Sequence, residues 1–340
     1  MPGYLPVSLF RRRFVACGAF VLALGALASL PALGADAAAT PRPRPTKDVK
    51  PAPTPTVPAP PRAMDTCVGN PKFLAKFGAT TKALVDTTST QFVGLSLLDV
   101  DARGEYTRRA THPSWSIAGD LGRVQRDADG NVYTYPAPAV TLVRNPVDKS
   151  NIIYRVNTDS GVMVAFAELP RDVPKATSNP FGLLALTLDC EQNALYAASV
   201  YGSTAGAERG MIARVDLTRG TVRVVKRDID ALSLAVIRDD GEKRLLIGSA
   251  RSGMLTSFAI AQDGSLGEQE RVEMDLQAIS RFGDRKPRTL RVDTSGSLWV
   301  RAIPFEFTLL PRNQENILDV KFRRKIPAGA GEQRWWLVEQ

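Results

Sequence analysis

Histidine is almost missing from this chain, with only His112 in 340 residues. One histidine excludes a histidine-rich metal centre. No Gly-x-Ser-x-Gly elbow or other nucleophile motif accompanies it, so a catalytic triad has no partners in the sequence. In THPSWSIAGDLGR the residue falls in a connection, where a structural hydrogen bond is its expected role. Cysteine is scarce too, at three. Cys17 sits ahead of an apolar run rather than behind one, which excludes a lipobox. Cys67 and Cys190 remain, and an even number in an oxidising compartment permits one disulfide between them. Beyond residue 64, 3.6-residue periodicity is almost lacking, so a helical bundle is excluded. The formal charge is +9, but Arg11–Arg13 and the lysines and arginines between 42 and 62 supply most of it. That distribution argues against a nucleic-acid partner.

The N-terminus carries an address. Three arginines precede FVACGAFVLALGALASLPAL, and small residues come after it. Positive end, apolar middle and small-residue exit are the parts of a secretory signal, over residues 1–37. The run is about 20 residues and long enough to span a bilayer, so an uncleaved membrane anchor is the alternative. Either way the positive-inside rule exports the chain beyond the apolar run, to the periplasm, the envelope or the outside. Residues 38–64 form a proline-rich linker: nine prolines fall between Pro41 and Pro61. Fixed φ and missing donors make it a polyproline II spacer.

From Asp65 to residue 340 the pattern is of short β-branched and aromatic runs separated by turns, which predicts an all-β domain. One turn recurs. RDADGNVYTY from Arg126 returns, loosened, as DCEQNALYAAS from Asp189, DDGEKRLLIGS from Asp239 and DTSGSLWVRA from Asp293. Asp accepts hydrogen bonds from turn amides, and Gly takes a positive φ. A longer, more polar hairpin comes after each return, as in MIARVDLTRGTVRVV from Met211. Inner plus outer hairpin is a four-stranded unit, and its repetition predicts a β-propeller. Five blades are expected, over 72–110, 121–167, 182–226, 231–274 and 287–339, with a sixth as the alternative. FLAKFGATTKALVDT, the first inner hairpin, lacks the Asp.

NPFGLLALTLDCEQNALYAAS and DALSLAVIRDDGEKRLLIGS resemble repeats of NHL-type and gluconolactonase/strictosidine-synthase-like propellers, across residues 120 to 302. In hydrolases of that superfamily a divalent metal sits on the propeller axis. The resemblance therefore implies a candidate Ca²⁺ set in Asp120, Asn179, Asp230 and Asp284, one ahead of each inner hairpin. The Gly-Glu-Gly-Pro stretch that carries the metal-binding Glu in those enzymes is missing here.

Arg123, Arg251, Arg288 and Arg291 lie at or near strand starts and connections expected on one face. They are candidates for an anion-binding mouth, the alternative being salt bridges with nearby aspartates. Trp335 and Trp336 should alternate inward and outward in the last strand. These features predict an exported, monomeric propeller, without cofactor, acting as a binding or scaffold module for a protein, glycan or small ligand. The alternative is a Ca²⁺-dependent hydrolase of the lactonase or phosphotriesterase kind. A binding module should fill its axis with apolar or Arg–Asp pairs and recognise through loops 136–151, 168–180 and 303–317. A hydrolase should bring at least three oxygen ligands from different blades to one point, together with a water and an open pocket.

Overall fold

Leu183–Asp189, LLALTLD, is buried at every position. A strand with one wet face alternates, whereas a strand covered on both faces is apolar throughout. The computed structural model shows what covers it. It describes residues 59–338 apart from 90, 102, 104, 139–141, 310–316 and 325–332. The signal segment and the linker up to residue 58 lie outside the described residues. No helix among the described residues is long and apolar enough to cross a membrane.

The chain opens with β1 (Arg62–Ala63) and a single helical turn, α1 (Phe73–Lys76). Five antiparallel sheets come next in sequence order. Blade 1 holds β2 (Leu84–Asp86), β3 (Ser96–Val100) and β4 (Tyr106–Ala110). Blade 2 holds β5 (Gln125–Arg126), β6 (Val132–Thr134), β7 (Ile152–Val156) and β8 (Met163–Glu168). Blade 3 holds β9 (Leu183–Asp189), β10 (Ala194–Ser199), β11 (Met211–Asp216) and β12 (Val222–Arg227). Blade 4 holds β13 (Ala231–Asp239), β14 (Glu242–Ser249), β15 (Met254–Ala259) and β16 (Arg271–Asp275). Blade 5 holds β17 (Lys286–Val292), β18 (Leu298–Ile303), β19 (Leu318–Arg324) and β20 (Trp335–Leu337). Each sheet is a meander with its first strand innermost, and the whole is an all-β, five-bladed β-propeller.

The recurring turn does what its residues require. Asp127 Oδ1 accepts from Asn131 N at 2.8 Å, and Asp293 Oδ1 accepts from Ser295 N and Ser297 N at 2.9 and 3.0 Å. Gly130 and Gly296 stand at φ 85° and 76°, where a side chain would be strained. Between consecutive blades lies an apolar cluster. Leu97, Trp115 and Val132 join blades 1 and 2, and Tyr133, Leu186 and Leu195 join blades 2 and 3. Tyr196, Leu234 and Phe258 join blades 3 and 4, and Met274, Leu298 and Trp335 join blades 4 and 5. Among the described residues no such cluster joins blade 5 to blade 1.

Blade 1 departs from expectation. Its first predicted strand is the turn α1, and only three strands are described. Phe73 and Phe77, four apart, both pack on Trp115, with ring centroids at 5.9 and 5.0 Å. A helical turn puts such a pair on one face, whereas the alternation of a strand would bury Phe73 and expose Leu74, and both are buried here.

The segment from residue 59 to α1 crosses the ends of the inner hairpins like a strap. Pro60 and Pro61 lie against Gly296 of blade 5. β1 pairs antiparallel with β13, Arg62 opposite Arg238. Met64 O accepts from Cys190 N at 3.1 Å, and the Cys67–Cys190 disulfide fastens the strap to blade 3. Gly69 N then donates to Asp127 O of blade 2 at 2.8 Å. Pairing thus starts at Arg62, three residues ahead of the expected domain start.

Candidate functional site

Innermost strands in a propeller turn one edge to the axis, and those edges carry unpaired backbone groups. Here the strands β2, β5, β9, β13 and β17, with Ala63 and Asp65 of the strap, surround an axial cavity of ≈ 380 Å³. The axis is hollow rather than filled, contrary to the expectation for a binding module. Part of the edge is satisfied by side chains. Arg288 Nη1 donates to Leu184 O at 2.7 Å and to Leu232 O at 3.2 Å. Tyr135 Oη also donates to Leu184 O, and Gln125 Nε2 donates to Leu186 O at 3.1 Å.

Three arginines face this cavity: Arg123 just ahead of β5, and Arg288 and Arg291 on β17. Among the described residues none of the three is in an ion pair. Other arginines of the fold are neutralised by carboxylates. Between blades 4 and 5, Arg271 and Arg324 close on Asp239 at 2.7 and 3.0 Å. Arg123 is reached by solvent through the cavity but otherwise surrounded by protein. Burial pushes its pKa down; Tyr135 opposes that, and repulsion from Arg288, Arg301 and Arg291 adds to it. Asp65, on the strap, is the nearest thing to a counter-charge. Burial raises its pKa, and its backbone hydrogen bond and Arg123 pull the other way. Asp86 is occupied locally, its Oδ1 accepting from Thr88 N at 2.9 Å and Thr88 Oγ1 at 2.6 Å. The channel wall is therefore a concentration of positive charge with unspent donors, which is what an anion requires.

The structure brings Arg123, Arg288 and Arg291 together but places Arg251 elsewhere. Its Nε donates to Asp230 Oδ2 at 2.7 Å, and its Nη atoms donate to Ala205 O and Thr204 O at 3.0 and 2.8 Å. The guanidinium lies 5.1 Å from the Phe307 ring centre. It is a bracket between loops, salt-bridged to a nearby aspartate as the alternative for these arginines expected.

Asp120, Asn179, Asp230 and Asp284 do not line the axial cavity. Asp230 is buried, and its Oδ1 accepts from Ser203 Oγ and from Gly210 N at 3.0 Å. Burial raises its pKa, partly offset by Ser203 and Arg251. Asn179 Nδ2 donates to Val200 O and Ser203 O at 2.8 and 3.0 Å, and Oδ1 accepts from Phe181 N. Asp120 Oδ1 is 3.6 Å from Arg144 Nη1, while its Oδ2 is buried without a partner. Asp284 is exposed in the turn before β17. Among the described residues no group of three His, Cys, Asp or Glu side chains is placed to hold a metal ion. His112 caps a 3-10 turn, its Nδ1 2.7 Å from Ser114 Oγ. Trp335 is buried and Trp336 exposed, as alternation requires.

Sequence reasoning passed over Asp65, Gln125 and Tyr135 as channel residues. Gln125 and Tyr135 flank a predicted hairpin and could have been placed; Asp65 reaches the axis only because the strap crosses the fold.

Fold and site together define an all-β propeller with a cationic axial channel. No family model matches the chain, and no curated protein matches it. Solved structures similar to it include the luciferin-regenerating enzyme, at 12% identity and TM-score 0.44, covering 76% of this chain and 79% of that one. A gluconolactonase from Xanthomonas campestris matches at 15% and 0.39, covering 62% of this chain and 66% of that one. The extracellular domain of a one-component system from B. thetaiotaomicron matches at 14% and 0.39; it covers 61% of this chain, which spans 23% of that one. At such values they add nothing to the five-bladed ring read from strand pairing.

Proposed function

We propose that the protein is an exported binding module that holds a small carboxylated ligand in its axial channel. The observation that carries this reading is the set of three channel arginines without carboxylate partners. Crowding three cations around one cavity, with Arg123 partly desolvated and repelled by the others, is costly to the free protein, and an anion would relieve that cost. Arg123 and Arg291 would meet the carboxylate, with Arg288 contributing the donors that Leu184 O and Leu232 O do not use. The ≈ 380 Å³ cavity is of small-molecule size. Export is supported by the order of parts in the N-terminal segment and by the Cys67–Cys190 bond.

Titration calorimetry on the full chain tests it, using citrate and galacturonate against glucose as the neutral control. The carboxylates should bind, glucose should not, and Arg123→Gln should weaken binding at least about tenfold, the loss of one charge-assisted contact. Carboxylates that bind no better than glucose would sink the reading.

A further inference from the structure

Blade 5 has two unlike faces. Leu290, Val292, Leu298, Val300, Val320 and Phe322 point toward blade 4 and are buried. Alternation sends Arg291, Trp299, Arg301 and Lys321 to the other face. Register sets them in rows: Arg291, Trp299 and Lys321 share one rung, and Thr289, Arg301 and Asp319 the next. This second face stays open, since Arg291 is exposed and the Arg301 and Asp319 side chains keep about half of their surface at 51% and 50%.

Trp299 is held in place on that face. Its Nε1 donates to Asp293 Oδ2 at 3.0 Å, an anchor that Lys321 Nζ shares at 3.2 Å. The Arg291 guanidinium and the Lys321 ammonium flank the indole, 5.9 and 5.3 Å from its ring centre. The face is also continuous with the channel. Arg291 belongs to both, and Arg301 is close enough to add to the repulsion on Arg123. The strap crosses the turn end of the channel. At the opposite end Phe305 and Phe307 pack with Leu184 and Leu232. The side toward blade 1 has no comparable apolar filling among the described residues.

We propose that the ligand is an acidic oligosaccharide, one end in the channel and the chain running outward over Trp299. This rests on the carboxylate-binding reading above and names its ligand class. A fixed indole offers an apolar surface to the C–H face of a sugar ring; Arg291, without a carboxylate partner among the described residues, meets a carboxylate on one side, and Lys321, shared with Asp293, adds positive charge on the other. Arg291 and Lys321 stand two strands apart, roughly 10 Å, so with one ring over Trp299 each can meet the carboxylate of the unit on either side. An extended acidic peptide binds through backbone pairing at a sheet edge, whereas outside the channel this path crosses a sheet face that presents side chains.

The test compares galacturonate with its pentamer on the full chain by calorimetry, reading the ratio of the two affinities. The pentamer should bind at least about tenfold tighter. Trp299→Ala should bring the ratio near unity, whereas Trp299→Phe, which keeps a ring but loses the Asp293 hydrogen bond, should keep most of it. Maltopentaose, neutral and of equal length, should not bind. Equal affinities for monomer and pentamer would overturn this inference and leave the channel reading standing. No binding of either acid would overturn both. A glutamate pentapeptide that binds as tightly as the sugar, or a ratio untouched in Trp299→Ala, would overturn the assignment to a glycan.

Discussion

Breaking Cys67–Cys190 removes the covalent link between the strap and the ring, and its cost can be worked from the chain. The bond joins residues 123 apart. Loop-closure entropy for that separation amounts to about 5 kcal/mol lost from the unfolded state, and native disulfides removed in practice cost roughly 2–5 kcal/mol. The protein is larger than the domains for which 1 kcal/mol shifts the melting temperature by about 2–4 °C, so the low end of that scale applies. A fall of roughly 4–10 °C is expected. Calorimetric melting of the full chain, oxidised and then reduced and alkylated, measures it. Cys67→Ser/Cys190→Ser guards against effects of Cys17. Hydrogen exchange should quicken from Met64 to Gly69, because among the described residues Met64 O–Cys190 N and Gly69 N–Asp127 O are then the backbone hydrogen bonds left between that stretch and blades 3 and 2. Equal melting of the oxidised and reduced chains, or unlinked cysteines by peptide mass mapping, would refute the reasoning.

Arg288→Met should destabilise by about 1–3 kcal/mol in urea unfolding, because Leu232 O loses its side-chain donor while Leu184 O keeps Tyr135. Arg123→Gln should raise the melting temperature of the ligand-free chain while weakening carboxylate binding, since it removes a desolvated cation repelled by Arg288, Arg301 and Arg291; a fall in both would contradict the charge argument. Burial alone would raise the Asp293 pKa, but hydrogen bonds from Ser295, Trp299, Ser297 and Lys321 outweigh it and hold the carboxyl below its usual 3.8. A depressed folded pKa contributes stability above the unfolded value and loses it as pH falls, so Asp293→Asn should be less stable at neutral pH. In unfolding measured across pH, the gap to the parent should begin to narrow below roughly pH 4 and close only once pH has fallen past the depressed folded pKa. Adding Ca²⁺ or chelator should leave the melting temperature unchanged; a stoichiometric ion whose removal lowers it would favour the hydrolase alternative and call for an Asp230→Ala variant.

Much of the architecture was legible because propeller blades are local. Each four-stranded unit closes on itself through short turns, so Asp127, Asp189, Asp239 and Asp293 mark four inner hairpins without reference to anything distant. In blade 1, where that marker is missing, the helical turn α1 stands in place of the expected strand. Alternation within one strand likewise placed Trp335 inward and Trp336 outward. Arg123, Arg288 and Arg291 could be nominated for the same local reason, each lying at or near an innermost strand.

Their separation from Arg251 could not be read, because Asp230 and the carbonyls of Thr204 and Ala205 that absorb Arg251 lie 21 to 47 residues away. The strap is the extreme case. A proline-rich sequence says only that the chain is extended, and contacts with blades 5, 4, 3 and 2 in turn decide that it runs beneath the channel. The repeat and the alternation of each strand were the sequence's own, since they depend on neighbours within a few residues. Which cations converge unpaired, which aspartates are consumed and what floors the axis were tertiary decisions. They are sums of charge and burial over residues that only the closed ring brings together.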